Sequence, residues 1–190
     1  MRYPIEEIST PSNLLSMFRL VMAVPLWYLF DYLGDPGMRI IIFAVVIIAA
    51  LTDILDGYLA RKFNQVTEFG RIIDPLADKV AMGAIIIKLF VIGEITPYYF
   101  IMIIARDVLI FLGGIFVAQK IGKVLPSNVL GKVTVIVIGI VILLIVLGIP
   151  KDSLIYLSLY GLSIILIFVS FIGYIIRAME FLKRKKYESV

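Results

Sequence analysis

The sequence contains no cysteine and no histidine, and these two absences narrow the chemistry that the chain can perform. Without cysteine there are no disulfides and no thiolate metal ligands. Without histidine, any bound metal must be held by oxygen atoms, which favours Mg²⁺, Mn²⁺ or Ca²⁺ over structural zinc. A general base must then be a carboxylate, a lysine, a tyrosine or a metal-bound water.

Charged residues are scarce as well. Only 17% of the 190 residues are charged, 62% are hydrophobic, and the mean hydropathy is +1.06. This composition is typical of a polytopic helical membrane protein and leaves no room for a soluble second domain. We therefore predict an all-α integral membrane protein that forms a single membrane domain over residues 1–190.

Six hydrophobic stretches have about the 20 residues that a helix needs to cross a bilayer. Gly-Pro or acidic turns separate several of them. The predicted helices run from about Asn13 to Phe30, Met38 to Ala60, Asp74 to Ile92, from after Thr96-Pro97 to Gln119, Asn128 to Leu147, and Ser153 to Ala178. The first stretch follows a short segment that does not resemble a signal peptide, so we expect it to be retained as a helix.

Basic residues are concentrated in alternate connections between these stretches. Two alternate connections and the C-terminal tail carry Arg61, Lys62, Arg71, Lys120, Lys123, Lys132 and the run Lys183–Lys186. The other connections carry only Arg39 and Lys151 among four acids. The positive-inside rule then predicts that both termini face the cytosol in the cell (inner) membrane. We interpret the terminal basic run as a topology signal attracted to anionic membrane lipids, with no nucleic-acid partner.

Four carboxylates, Asp53, Asp56, Asp74 and Asp78, lie at the predicted cytosolic ends of the second and third helices. A charged side chain in a bilayer costs about 2.5–3.5 kcal/mol on insertion scales, so four in one short stretch need a compensating charge. The first pair is three residues apart and the second pair four apart, so each pair shares a helix face. If the two helices are antiparallel neighbours, all four carboxylates can converge near the membrane surface and hold two hard cations.

Structural explanations account for only part of this cluster. Asp74 before Pro75 is a favourable helix start, with aspartate as the N-cap. Asp78 lies one turn further in, and the helix dipole disfavours acids at the C-terminal end that holds Asp53 and Asp56. Ion pairs with nearby basic residues would leave acids in excess. The small residues around the cluster allow a planar group to approach closely, and Arg61 supplies a fixed charge suited to phosphate.

The spacing D-x2-D-G-x2-A-R-x8-G-x3-D-x3-D, from Asp53 to Asp78, resembles the signature of the CDP-alcohol phosphatidyltransferase family. This resemblance implies transfer of a phosphatidyl group from CDP-diacylglycerol to an alcohol, with release of CMP. It also implies a six-transmembrane-helix bundle with a cytosol-facing polar cavity, assembled as a homodimer. The physics agrees with the resemblance, because metal ions can stabilise the charge that spreads over phosphoryl oxygens in such a transfer.

The resemblance also implies roles for individual residues. Asp53, Asp56, Asp74 and Asp78 would hold two Mg²⁺ or Mn²⁺ ions, and Asp78 would also act as the general base on the acceptor hydroxyl. The implied nucleotide-binding residues are Asn13, Gly57, Ala60, Arg61 and Gly70.

The acceptor is indicated by three further segments. Residues 10–19, Ile104–Asp107 and Gly131–Thr134 are similar to segments of the phosphatidylglycerophosphate synthase branch, whose acceptor is glycerol 3-phosphate. On this resemblance Arg106 and Lys132 are the candidates for binding the acceptor phosphate, because an Arg fork and a Lys charge suit a phosphate dianion.

Several alternatives stay open at this level. The run Arg106-Asp107-Val108 resembles the cardiolipin synthases of the same family, which use phosphatidylglycerol as the acceptor. Arg106 and Asp107 could instead form an ion pair without a substrate role, and Lys132 could be a lysine that extends from a helix end to the interface. Outside this family, intramembrane acids also mark divalent-cation transporters, and a non-enzymatic scaffold is the third interpretation.

Overall fold

The computed structural model describes residues 10–62, 70–121 and 129–188, and it contains six α-helices and no strand in these ranges. The helices are α1 (Pro11–Leu29), α2 (Pro36–Lys62), α3 (Gly70–Val91), α4 (Pro97–Ile121), α5 (Val129–Val146) and α6 (Leu154–Glu188), with a 3₁₀ turn at Phe30–Tyr32 after α1. The structure does not describe the surroundings of several residues within these helices, among them residues 53, 56, 57, 60, 61 and 74. The all-α prediction is confirmed for the described residues.

Three helices, α1, α2 and α4, begin at a proline that follows a polar residue. The side chains of Thr10, Asp35 and Thr96 each accept a hydrogen bond from a backbone N–H in the first turn. A polar N-cap followed by proline at the first helical position is a favourable start, because the missing N–H of proline has no partner there anyway. The predicted starts of these helices are therefore correct to within two residues.

The predicted start of α3 at Asp74 is wrong, because the helix begins four residues earlier at Gly70. A proline removes only one intrahelical hydrogen bond, so Pro75 near this end does not prevent the helix from starting upstream. Asp74 therefore lies inside the helix, and N-capping does not explain it. The predicted end of α6 is also too early, because its basic last turns consist of good helix formers and continue to Glu188.

Within the part of the chain that the structure describes, four helices are long and apolar enough to cross a membrane: Asn13–Tyr32, Pro97–Val117, Val129–Val146 and Leu154–Phe181. The apolar part of α2, Pro36–Thr52, ends just before the first acid of the motif. Charged residues interrupt α3 along its length. Together with the composition, these spans make the chain an integral membrane protein.

The chain divides into two compact units, Met1–Glu94 and Ile95–Val190. The first unit ends at a glycine-terminated turn, where Gly93 has φ 76°. The N–H of Gly93 donates to the carbonyl of Phe90 and that of Glu94 to the carbonyl of Leu89. These two hydrogen bonds close the last turn of the helix. They need a residue in the left-handed backbone conformation, which glycine adopts without strain. Gly148, with φ 73°, ends α5 in the same way.

In the first unit, α1 packs against both α2 and α3. Arg19 of α1 pairs with Asp78 of α3, and Asp31 after α1 pairs with Lys88 of α3. Residue numbers increase together in these two pairs, so α1 and α3 run parallel. The sequence predicts that α2 packs directly on α3. Within the described residues, these two helices do not pack extensively against each other. Helix α1 therefore packs against both of the helices that carry the four acids from Asp53 to Asp78.

In the second unit, α6 packs against both α4 and α5. The hydroxyl of Tyr99 on α4 lies 2.8 Å from that of Ser163 on α6. Further along, a Cβ added at Gly114 of α4 would lie 2.9 Å from the hydroxyl of Tyr174 on α6. These contacts show that α4 and α6 also run parallel, and that the Tyr174 side chain lies against α4 where a side chain is absent.

The Asp31–Lys88 pair gives a test of how the first unit is stabilised. Lys88 is 5% exposed, lies 5.0 Å from the centroid of the Trp27 ring, and donates to Asp31 at 2.6 Å, whereas the Asp31 side chain is 51% exposed. Asp31→Asn leaves a buried ammonium without its counter-charge, and we expect it to lower the free energy of unfolding by about 1–3 kcal/mol. Lys88→Met leaves only a half-exposed carboxylate, so its cost should be smaller. Thermal unfolding of both variants in detergent measures the difference, and equal or reversed costs would contradict the assignment.

Candidate functional site

The four acids from Asp53 to Asp78, here called the carboxylate motif, lie on two helices of the first unit, α2 and α3. Helix α2 continues to Lys62 without a break, so Asp53 and Asp56 are three residues apart on one helix. Asp74 and Asp78 are one turn apart on α3. The side chains of the first three acids lie outside the described residues, so their convergence on one cavity stays a prediction. Among the described side chains, there is no group of three acids that could hold a metal ion.

Asp78 is the one member of the motif whose side chain is described, and its carboxylate accepts a hydrogen bond from Nη1 of Arg19. The side chain of Arg19 is 4% exposed and that of Asp78 is 46% exposed. The guanidinium is therefore buried between helices while the carboxylate stays open to a ligand. An ion pair of this kind makes a buried arginine tolerable in an apolar helix, because each charge compensates the other.

Arg19 was not predicted as a site residue, although it ends the segment from Thr10 that carries the resemblance. The signal for it was present in the sequence. Arg19 is the only arginine or lysine in the candidate span Asn13–Tyr32, and a charged residue within a membrane span is a functional candidate by default. Its partner could not be found from the sequence, because the pairing joins residues 59 positions apart.

The structure describes two of the predicted nucleotide-binding residues. Asn13 is 1% exposed in the first turn of α1, and Gly70 is buried as the first residue of α3. Gly57, Ala60 and Arg61 belong to the last turns of α2, and their surroundings lie outside the described residues. The nucleotide site therefore stays a prediction for all five residues.

The donor chemistry of the motif fits a hard divalent cation. Its four acids offer only oxygen atoms, which are the ligands that Mg²⁺ and Mn²⁺ prefer. The carboxylate of Asp78 is half-exposed and so can be reached by an ion.

The second unit holds Arg106, which is 8% exposed on α4. Its Nη1 donates to Asp107 Oδ1 at 2.5 Å and its Nη2 donates to the carbonyl of Gly131 on α5 at 3.3 Å. The buried Nε has no hydrogen-bond partner among the described residues. A buried donor without a partner is costly, so this guanidinium has the capacity for one more acceptor.

The structure brings Arg106 next to the segment that carries Lys132. Arg106 donates to the carbonyl of Gly131, which is the residue before Lys132. The Lys132 side chain is exposed in the first turns of α5. Thr134 fixes this part of α5, because its buried hydroxyl lies 2.7 Å from the carbonyl of Leu130 and 3.2 Å from that of Leu166 on α6. The first turns of α5 are thus held in place beside a buried arginine.

The ion pair of Arg106 with Asp107 is present, as one alternative predicted, but it does not account for the whole guanidinium. Neighbours in sequence do not normally face each other on a helix, and Asp107 is half-exposed. The bond to Gly131 and the Nε without a described partner are additional features. The arrangement can therefore accept a second anion in place of, or beside, the carboxylate.

Comparison with known families gives a match to CDP-alcohol phosphatidyltransferase over residues 9–176. The chain belongs to the CDP-alcohol phosphatidyltransferase family. The match spans both units and contains every predicted site residue, and the resemblance carried by the motif is thereby confirmed.

Individual relatives align along nearly the whole chain. A protein of Rickettsia bellii named CDP-diacylglycerol–glycerol-3-phosphate 3-phosphatidyltransferase is 34% identical over 176 residues, which is 92% of this chain and 95% of the relative. A protein of the same name from Aquifex aeolicus is 31% identical, covering 88% and 95%. A probable phosphatidylglycerophosphate synthase of Mycobacterium tuberculosis is 29% identical, covering 92% and 84%.

Family membership decides between the three classes of function left open by the sequence. The chain is an enzyme, a CDP-alcohol phosphatidyltransferase. The transporter and scaffold interpretations explain neither the family match nor the near-complete alignment with transferases.

Proposed function

We propose that this enzyme transfers the phosphatidyl group of CDP-diacylglycerol to glycerol 3-phosphate, giving phosphatidylglycerophosphate and CMP. The observation that carries the proposal is the buried Arg106, whose Nε has no partner among the described residues and which lies beside the first turns of α5. An arginine fork of this kind suits the phosphate of the acceptor. The names and coverage of the relatives support the same acceptor.

In the proposed reaction, a hydroxyl oxygen of glycerol 3-phosphate attacks the phosphorus of the phosphatidyl group. The bond from that phosphorus to the bridging oxygen breaks, and CMP leaves with the bond electrons. Asp78 accepts the proton of the attacking hydroxyl, which requires a carboxylate that the acceptor can reach. Its half-exposed side chain meets this requirement.

Asp53, Asp56, Asp74 and Asp78 would hold two Mg²⁺ or Mn²⁺ ions, whose charge when bound would offset that of the pyrophosphate. Asn13, Gly57, Ala60, Arg61 and Gly70 would bind the cytidine nucleotide. The small residues at these positions allow the base to lie close to the backbone.

The proposed enzyme has six membrane spans, with both termini and a polar cavity on the cytosolic side of the inner membrane. The distribution of basic residues supports this orientation. It allows the lipid donor to enter from the bilayer and the water-soluble acceptor to enter from the cytosol. We also propose that the enzyme is a homodimer surrounded by membrane lipids, as the family resemblance implies.

One observation favours a second acceptor. Asp107 occupies Nη1 of Arg106, and a phosphodiester monoanion needs fewer donors than a phosphate dianion. A cardiolipin synthase that uses phosphatidylglycerol is therefore the alternative within the same family.

The test is CMP release from CDP-diacylglycerol by the purified protein in lipid and detergent, with Mg²⁺ or Mn²⁺. The acceptors to compare are glycerol 3-phosphate, phosphatidylglycerol, inositol 1-phosphate and serine. Release with glycerol 3-phosphate alone is the expected result. Release with phosphatidylglycerol alone would establish the alternative, and release with neither would contradict both.

Gly131 offers a sensitive test of the acceptor site. A Cβ added there would lie 3.2 Å from Nη2 of Arg106, which is closer than most real contacts. Gly131→Ala should therefore move the guanidinium by a few tenths of an ångström and raise the acceptor KM roughly threefold or more, since even 0.7 kcal/mol gives such a factor. The matched control is Gly139→Ala on the same helix, where the added Cβ has open space. Equal KM values in the two variants would contradict the proposed contact of Arg106 with the acceptor phosphate.

A further inference from the structure

Arg19 is a buried charged residue that contacts the carboxylate motif and that the proposed function leaves without a role. It lies on α1, is 5% exposed, and donates through Nη1 to the carboxylate of Asp78 on α3. Helix α1 packs against both helices of the carboxylate motif. The guanidinium is thus fixed at the interface of α1 with α3, while the carboxylate it contacts is half-exposed.

A fixed positive charge beside a carboxylate has two physical consequences. It orients the carboxylate, because the guanidinium donors have a rigid planar geometry. It also weakens the attraction of that carboxylate for a cation, because the two positive charges repel in a medium of low dielectric constant. Both consequences bear on a site in which Asp78 contacts a divalent ion and receives a proton.

We propose that Arg19 is a positioning residue that acts through Asp78: it orients the carboxylate and sets how tightly the motif binds divalent cations. The inference rests on the proposed function in one respect, since it requires a metal at the carboxylate motif. The charge of Arg19 limits the affinity of the carboxylate motif for the divalent ion, so that the motif does not bind the ion more tightly than catalysis needs.

Binding of Mn²⁺ to the purified full-length protein, followed by electron paramagnetic resonance, tests this inference independently of turnover. Arg19→Gln keeps a hydrogen-bond donor toward Asp78 but removes the charge. We expect it to bind Mn²⁺ roughly tenfold more tightly, from the lost repulsion, and to turn over more slowly at saturating Mn²⁺. Arg19→Lys keeps the charge but not the planar fork, so it should keep the wild-type Mn²⁺ affinity and still lose turnover.

Several outcomes would overturn the inference. Unchanged or weaker Mn²⁺ binding in folded Arg19→Gln protein would show that the charge does not act on the metal site. A loss of Mn²⁺ affinity shared by the Gln and Lys variants would indicate a merely structural role. If Arg19→Gln does not fold, Arg19→Met takes its place, because it also removes the charge and leaves only the half-exposed carboxylate of Asp78. The same tighter binding of Mn²⁺ is expected for this variant, and unchanged or weaker binding would overturn the proposal.

The same experiment separates this inference from the proposed function. CMP release with glycerol 3-phosphate, combined with unchanged Mn²⁺ affinity in Arg19→Gln, would overturn the role of Arg19 and leave the function standing. The expected shift in Mn²⁺ affinity without CMP release from that acceptor would support the role of Arg19 and overturn the acceptor. Absence of saturable Mn²⁺ binding in the wild type would overturn the inference together with the metal site.

Discussion

Asp78→Asn is expected to lower kcat by about 100- to 10,000-fold, the range that a general base contributes. The amide cannot take the proton of the acceptor hydroxyl, and it is a weaker ligand for a divalent ion. The fold should persist, because the amide keeps a carbonyl oxygen that can accept the hydrogen bond from Arg19. CMP release at saturating substrates measures the effect, with thermal unfolding and size-exclusion chromatography as checks on folding.

The matched control for this variant is Asp152→Asn, which makes the same chemical change at an exposed residue between α5 and α6. It should keep the wild-type kcat. If the Asp78 variant also turned over at the wild-type rate, Asp78 could not be the general base, and another group would have to take the proton.

Arg106→Ala is expected to raise the KM for glycerol 3-phosphate by about 10- to 100-fold, with a smaller effect on kcat. A hydrogen bond to a charged group contributes about 1.5–3 kcal/mol, which corresponds to this range of affinities. The truncation leaves behind the half-exposed carboxylate of Asp107 and the carbonyl of Gly131, and it leaves no buried charge, so the cost to folding should be modest. Initial rates at varied acceptor concentration give KM and kcat separately.

Lys120→Ala is the control for a change of net charge on the same helix. Lys120 is exposed near the end of α4, where its ammonium lies 4.6 Å from the centroid of the Phe116 ring. Its removal should leave the acceptor KM within about twofold, because exposed charges contribute little. An unchanged KM in the Arg106 variant would remove this residue from the phosphate site, and a raised KM for CDP-diacylglycerol instead would assign it to the donor.

Local signals made most of the helix boundaries predictable. Hydrophobic length predicted the starts of α1, α2 and α4 to within two residues, and in the structure each begins at a proline that follows a polar cap. The same rule failed at Asp74-Pro75, where the helix starts upstream at Gly70. Proline is compatible with a helix start but does not require one, so the sequence alone could not choose between the two positions.

The partners of the helices were less predictable than their ends. A short connection made α2 and α3 expected neighbours, whereas α1 packs against both of them and parallel to α3. Charge alone could not identify the partner of Asp78, because Arg61 and Lys79 are nearer in sequence than Arg19. The pairing depends on which helices pack against each other, and that is decided by packing over the whole unit.

The candidate site was predictable where spacing carried the information. The motif from Asp53 to Asp78 gave the family, and the family comparison confirms it. The contacts of Arg106 with Asp107 and Gly131 were not predictable, since the second joins residues 25 positions apart. Residue types in a pattern indicate a chemistry, but the unsatisfied hydrogen-bonding capacity of a side chain depends on its neighbours in space.

The parallel pairing of α1 with α3 has a consequence for biosynthesis. Arg19 enters the membrane with α1, but Asp78 is 59 residues further along the chain. At about 5–20 residues per second, the ribosome makes that carboxylate about 3 to 12 seconds later. During this interval the ion pair with Asp78 cannot form, and the long arginine side chain can extend toward the lipid headgroups instead. The first helix therefore acquires this ion pair only when the third helix has been made.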